Sequence, residues 1–313
     1  MSSTDLFPVL PAALIRTVQE TFGERGRLWL AALPEQLADC AARWSLTLQP
    51  PFSNLTFHYV APAMREDGTE VVLKMGVPHK ELRTESAALA AYAGHGSVRL
   101  LEADSAAGVL LLERLRPGKV LTLLANEAHD PQATSIAASV MRRIWRPPPP
   151  DHAFPTVYEW ARGLEKLRLR FDGGVGPFPP ALVEEAETRF TELLNSMAAP
   201  VLLHGDLHHD NILSAARQPW LAIDPKGVVG EPAYEVGALL RNLWEDRHSI
   251  LEPQKLLERR VHQLAEELEL ERERVKGWGV AQAVLSAWWC LEDDSACWES
   301  SLGLADMLSG IRI

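Results

Sequence analysis

The chain has 313 residues, 47% of them hydrophobic, with 31 Lys+Arg against 42 Asp+Glu and a formal charge of −11. The apolar share and ten Trp exclude a disordered chain, and the length suffices for two domains or one large one. The acidic balance argues against non-specific nucleic-acid binding and suits cationic small molecules. Three cysteines give neither a disulfide framework nor a CxxC pair. Cys290 and Cys297, seven apart in a helical pattern, read as two thiols on one buried face.

The segment Met1–Pro8 lacks a basic stretch followed by an apolar one, so no signal peptide is expected. No apolar run reaches membrane-spanning length, and a cytoplasmic protein without a membrane partner is the expectation. Leu10, Leu14, Val18 and Phe22 repeat every four residues, as do Trp29, Leu33, Leu37 and Ala41 after Gly23 and Gly26. This spacing predicts helices up to Pro50-Pro51. Strands are predicted over 55–60 and 70–75, with a turn at 66–68, then a helix over 80–92 and strands at 98–101 and 109–112. This order predicts an α+β lobe ending near Glu113.

Beyond Leu115 the pattern is mostly helical, with helices expected at 119–127, 131–145, 156–170, 181–197 and 256–275. The run Pro147–Pro150 reads as a stiff spacer. The mixed charges of 266–276 read as a solvated helix face. Residues 201–224 form a compact β island in which 212–214 and 220–223 flank a hairpin turn. A turn centred between Arg217 and Gln218 places Asn211 opposite Asp224. An amide oxygen and a carboxylate at one hairpin end suit Mg²⁺ when phosphate oxygens complete the shell.

Asp206 precedes Asn211 by five residues, the spacing of the protein-kinase catalytic loop, where the Asp orients the attacking hydroxyl and a later Asp joins the Asn on metal. Upstream, strand alternation puts Val71, Leu73 and Met75 on one face and Val72 with Lys74 on the other. Eleven residues later, Glu85 lies on the apolar stripe of the next helix, where a carboxylate needs a partner. Lys74 is the expected one. The cluster His204, His208, His209 and Asp210 also permits a metal-dependent hydrolase, although distant histidines such as His58 and His248 lack any motif.

With these residues assembled, the chain resembles the aminoglycoside/hydroxyurea phosphotransferases, in particular the streptomycin 6-kinase branch. The resemblance rests on His204-Gly-Asp-Leu-His-His-Asp-Asn-Ile-Leu213, on Ile223-Asp-Pro-Lys-Gly-Val-Val-Gly-Glu-Pro-Ala-Tyr-Glu235, on Val72-Leu-Lys74 and on Leu111–Leu115. It implies a bilobal protein-kinase-like α+β fold. Residues 1–113 would be a helical N-terminal extension with a smaller β-rich nucleotide-binding lobe, and residues 114–313 a larger helical lobe.

The resemblance further implies an ATP-dependent phosphotransferase whose acceptor is an alcohol group on an aminoglycoside-like or hydroxyurea-like compound; a same-fold kinase for another cellular alcohol is the alternative. Asp206 would be the catalytic base, and Asn211 and Asp224 the Mg²⁺ ligands. Val72, Lys74, Glu85 and the Glu113–Arg114–Leu115 hinge would hold ATP. Glu231, Glu235, Trp288, Glu292 and Asp293, with Asp294, would face a cationic acceptor. No GxGxxG loop precedes Lys74; the corresponding stretch Ser53–Tyr59 has no glycine.

Overall fold

A computed structural model describes residues 10–124, 128–241 and 252–313. His248 and the last three residues of the helix expected at 119–127 lie outside the described residues. The chain divides into two compact units, one of residues 1–94 and 98–116, the other of residues 95–97 and 117–313. Residues 95–97 join the second unit because Ser97 bridges Ala222 and Gly96 O accepts the Ala222 N–H.

The N-terminal unit begins with helix α1 (Ala12–Arg43), which kinks at Gly23, where φ is +55°. The kink brings Gly26 against Val18; a Cβ on Gly26 would lie 2.3 Å from the Val18 carbonyl oxygen. The fourfold apolar spacing therefore forms two helical stretches, burying Leu14, Val18, Trp29, Leu33 and Leu37. The sheet is β1 (Leu46–Leu48), β2 (Tyr59–Arg65), β3 (Glu70–Met75), β4 (Leu100–Asp104) and β5 (Val109–Glu113), antiparallel in the order β1-β2-β3-β5-β4.

The second strand starts four residues later than its apolar run suggests and contains Pro62. Pro62 is tolerated because the β1 ladder ends at the Leu48–Ala63 pair, so its missing N–H falls just past the last β1 partner. Helix α2 (Lys80–Tyr92) matches its expected span. The core joins α1 to one sheet face through Tyr59, Ala61, Val71, Leu73 and Met75.

The C-terminal unit opens with β6 (Pro117–Val120) and a 3-10 turn at Leu121–Leu124, in place of the expected helix. Pro117 pairs with Ala215, and the Lys119 N–H bonds Ser214 Oγ, so the segment is recruited as a third strand on the hairpin. Helix α3 (Asp130–Ile144) follows. The expected helix 156–170 is two, α4 (Val157–Ala161) and α5 (Gly163–Arg170), and α6 spans Pro180–Asn195.

Strand β7 (Val201–Leu203) pairs with β10 (Val228–Gly230), while β8 (Ile212–Ala215) and β9 (Trp220–Ala222) form the hairpin. Helices α7 (Pro232–Arg241), α8 (Pro253–Leu268), α9 (Arg272–Glu292) and α10 (Trp298–Ser309) complete the unit. The expected helix 256–275 breaks at Glu269, whose left-handed backbone (φ +57°) ends α8. In that charged run Lys276 is buried and donates to Ile311 O, and Arg274 binds Glu231, so the run is not all solvated.

Helix α9 is the axis of this unit, buried continuously from Val275 to Trp288. It ends before Cys290 and Cys297 can share a helical face. A turn brings the start of α10 back, and the two cysteines form a disulfide with Cα atoms 5.7 Å apart, overturning the free-thiol expectation. No helix among the described residues is long and apolar enough to cross a membrane.

Candidate active site

In the N-terminal unit, β3 delivers Lys74 to the sheet face opposite the α1 core, and α2 delivers Glu85 to meet it. Lys74 Nζ donates to both Glu85 oxygens at 2.7 and 2.9 Å, and both side chains are buried. An isolated charge here would be costly, so each residue stabilises the other in place. Val72 shares the Lys74 face and is half-buried. The β3–β5 ladder ends at Glu113, so the peptide groups of Arg114 and Leu115 lie outside it. Arg114 rests over the Phe52 ring at 4.7 Å, and Glu113 Oε1 accepts the Arg99 N–H.

In the C-terminal unit, the chain leaves β7 at His204 and turns through Gly205 (φ +82°) into Asp206. A Cβ on Gly205 would fall 2.9 Å from both Trp160 Cη2 and Val228 Cγ1, so backbone conformation and space both demand glycine. His204 is fully buried. Its Nε2 donates to Ile223 O at 2.7 Å and its Nδ1 accepts the Asp206 N–H at 3.2 Å. Burial pushes its pKa down to about 4, so this imidazole is a neutral brace across the loop.

Glu235 is buried at the head of α7 and accepts the N–H groups of His204 (2.6 Å) and Gly205 (2.9 Å). Burial raises its pKa to about 7 even though those two bonds favour the charged form.

Asp206 is left with its side chain 30% exposed, its Oδ1 3.5 Å from Arg241 Nη2. Burial acts to raise its pKa, but Arg241, His208 and Lys226 outweigh that and hold the carboxyl below its usual range. It is ionised at neutral pH. Arg241 also donates to Ser286 Oγ at 2.7 Å, fixing the guanidinium.

The hairpin register is one residue from the expected one: Ile212, Leu213 and Ser214 face Ala222, Leu221 and Trp220. Asn211 consequently pairs with Ile223, whose N–H bonds Asn211 O, and Asp224 comes one residue later, exposed and left-handed at φ +57°. The turn is centred on Arg217, which shifts every pair by one. Asn211 Nδ2 donates to Asp206 O at 2.9 Å. Its Oδ1 has no partner among the described residues, the hard oxygen donor that a magnesium site requires. The donor set of Asn211 and Asp224 fits that ion. Among the described residues the histidine-rich segment forms no cluster of three His, Cys, Asp or Glu that could hold a metal.

The acceptor candidates separate. Glu231 is buried and accepts from Arg274 Nε (2.7 Å), the Ala198 N–H (3.2 Å) and Trp278 Nε1, and Glu235 accepts the backbone N–H groups of His204 and Gly205. Their oxygens serve the scaffold, which corrects the expectation that they face an acceptor. Trp288 is likewise core, 2% exposed, with its ring near Gly163. Glu292, the last residue of α9, and Asp293 and Asp294 just after it are exposed, with Glu292 4.0 Å from Lys166.

Residues 43–294 match the family described as aminoglycoside/hydroxyurea antibiotic resistance kinase. The chain is 32% identical to streptomycin 6-kinase of Streptomyces glaucescens, over 98% of this chain and 99% of that one. It is 33% identical to hydroxyurea phosphotransferase of Kitasatospora aureofaciens, over 96% of this chain and 86% of that one. Among solved structures, a thermostable mutant of aminoglycoside phosphotransferase APH(4)-Ia, in ternary complex with ADP and hygromycin B, aligns with a TM-score of 0.61 at 15% identity, covering 88% of this chain and 99% of that one. Choline kinase LicA from Streptococcus pneumoniae also aligns at 0.61, with 11% identity and coverage of 88% and 99%. The fold is therefore protein-kinase-like, and the expected small-molecule kinase, an ATP-dependent phosphotransferase acting on hydroxyl groups, holds. The chain belongs to the aminoglycoside/hydroxyurea antibiotic resistance kinase family.

Proposed function

We propose that this chain transfers the γ-phosphate of ATP to a hydroxyl of a streptomycin-type acceptor, in the cytoplasm and without a nucleic-acid or membrane partner. The observation that carries the reading is the likeness to streptomycin 6-kinase over nearly the whole chain, coupled to a loop with Asp206 ionised and partly exposed. The likeness to hydroxyurea phosphotransferase makes a smaller, neutral acceptor the second reading.

Residues 1–113 would bind the nucleotide. The Glu113–Leu115 backbone would meet the base, Val72 would line its pocket, and Lys74, steadied by Glu85, would bring positive charge to the phosphates. Residues 114–313 would carry the chemistry and the acceptor. Asp206 would accept a hydrogen bond from the acceptor hydroxyl, aim its oxygen at the γ-phosphorus and take the proton as the bond forms. The pKa held low by Arg241 suits an orienting group, since phosphoryl transfer draws mainly on positioning and electrostatic stabilisation. Asn211 Oδ1 and the Asp224 carboxylate would hold Mg²⁺, whose charge stabilises the phosphates. Glu292 and Asp293 would meet a cationic acceptor at its outer end.

A coupled assay with Mg·ATP against streptomycin, other aminoglycosides, hydroxyurea and simple alcohols tests this. Streptomycin should be phosphorylated, and Asp206→Ala should lower turnover on the order of a thousandfold. Unchanged turnover in that variant would sink the mechanism, and silence of the wild type across the panel would remove the acceptor assignment.

A further inference from the structure

Trp288 is buried in the core, but its neighbour is not. Helical rotation turns Trp289 out of the core, where it is half-buried and meets Trp160 edge to face, with centroids 5.5 Å apart and an interplanar angle of 86°. Trp160 in turn covers Gly205, the residue before Asp206. Neither indole N–H has a hydrogen-bond partner among the described residues, so both rings are held by packing alone.

The Trp160 ring is firmly placed. Thr156 and Glu159 form a capping box at the start of α4, with Glu159 N–H to Thr156 Oγ1 at 3.1 Å and Thr156 N–H to Glu159 Oε2 at 2.7 Å. The Val229 N–H bonds Pro155 O at 2.8 Å and Val157 packs against Gly230, tying α4 to β10 and so to the strand that leads into the catalytic loop.

Helix α9 adds a direction. Ser286, Trp289 and Asp293 follow one another by three and four residues and so lie along one side of its last turns. Ser286 binds Arg241, which faces Asp206. Asp293 ends the helix, is exposed, and makes no ion pair with another described residue. At about 1.5 Å per residue, the seven residues from Ser286 to Asp293 span roughly 10 Å. The C-terminal end of α9 carries a partial negative charge that adds to Asp293.

We infer that Trp160 and Trp289 are specificity-determining residues of the acceptor site. They form an aromatic wall beside the 204–206 loop that takes an acceptor carrying a guanidinium or ammonium group, and Asp293 lies about 10 Å farther along α9 than Ser286. This rests on the acceptor-kinase reading above. The ring faces attract the cation and the edge-to-face pair shapes the wall, while Asp293 sets the outer limit.

Calorimetric titration with streptomycin in the presence of ADP tests the wall without requiring turnover. The expected result is Kd weakened about tenfold in Trp289→Ala, kept within about threefold in Trp289→Phe, and weakened less in Asp293→Asn than in Trp289→Ala. ADP affinity should be the same in all four proteins. If Trp289→Ala fails to fold, Trp289→Leu against Trp289→Phe makes the same comparison. A wild type that does not bind streptomycin, or a Trp289→Ala or Trp289→Leu protein that binds it as tightly as wild type, overturns the inference. Trp289-dependent binding without phosphoryl transfer would instead uphold the wall and overturn the acceptor-kinase reading.

Discussion

Each unit buries an ion pair, and the two differ in kind. In the N-terminal unit, Lys74 meets Glu85. In the C-terminal unit, Asp130 at the start of α3 meets Arg260 of α8, both 1% exposed, with Arg260 Nε on Oδ2 at 3.0 Å, Nη2 on Oδ1, and Arg259 closing from the other side. Arg260 also donates to Leu239 O, so its fork joins three helices. Burial acts to raise the Asp130 pKa, but the two guanidinium groups more than offset it and hold the carboxyl ionised. A planar fork on a carboxylate has one geometry and serves as a fixed joint. A Lys ammonium is a point charge on a flexible stem that can serve a second anion without leaving the first. The difference teaches that burial of charge does not by itself mark a catalytic group; the donor's geometry distinguishes a fixed joint from a cation able to meet a further anion.

The comparison can be broken experimentally. Asp130→Ala strands buried guanidinium charge and should lower the free energy of unfolding by about 3–5 kcal/mol in urea melts, with turnover per folded molecule kept within about threefold. Lys74→Met should do the reverse. Turnover should fall on the order of a hundredfold, equivalent to about 2.7 kcal/mol, and the urea midpoint should move less than in Asp130→Ala because Glu85 can take up a proton. If Asp130→Ala loses turnover while Lys74→Met loses only stability, the assignment of roles is inverted.

A smaller effect sharpens the same point at Glu235. Its folded pKa, about 7, lies above the ordinary carboxyl value, so its contribution to stability is fully present below about pH 4.5 and declines as pH rises through about 7. Glu235→Gln removes the titration. Plotted against pH, the urea stability of wild type minus that of the variant should therefore fall across that window, and a flat or rising difference would refute the assignment.

Much of this was legible in the sequence where one local rule decides the outcome. The period-two alternation of β3 and the apolar stripe of α2 suffice to bring Lys74 and Glu85 together. The five-residue step from Asp206 to Asn211 marked the loop. What escaped depends on longer paths. Arg241 sits at the end of α7 and reaches Asp206 through helix packing, with no local signal for it. A half-residue difference in the turn centre shifted the hairpin register by one residue and moved Asp224 past Asn211. Glu231 and Trp288 looked like binding groups because residue type alone does not tell which side of a helix meets the core. The Cys290–Cys297 bond required knowing that α9 stops and the chain doubles back. At the start of the expected helix 119–127, residues up to Val120 are strand because pairing with β8 outweighs a weak local preference.

Asp224 combines two demands that are seldom made of one position. Its left-handed backbone is comfortable for glycine and tolerable for asparagine or aspartate, but strained for nearly every other residue. The proposed partnership with a divalent cation asks for a negatively charged oxygen, which glycine and asparagine cannot give. Glutamate has the charge but holds this backbone, as Glu269 does at φ +57°, only at a conformational cost, and asparagine has the backbone but not the charge. Aspartate joins the charge to the lower backbone cost, so conformation and chemistry together favour it at this site.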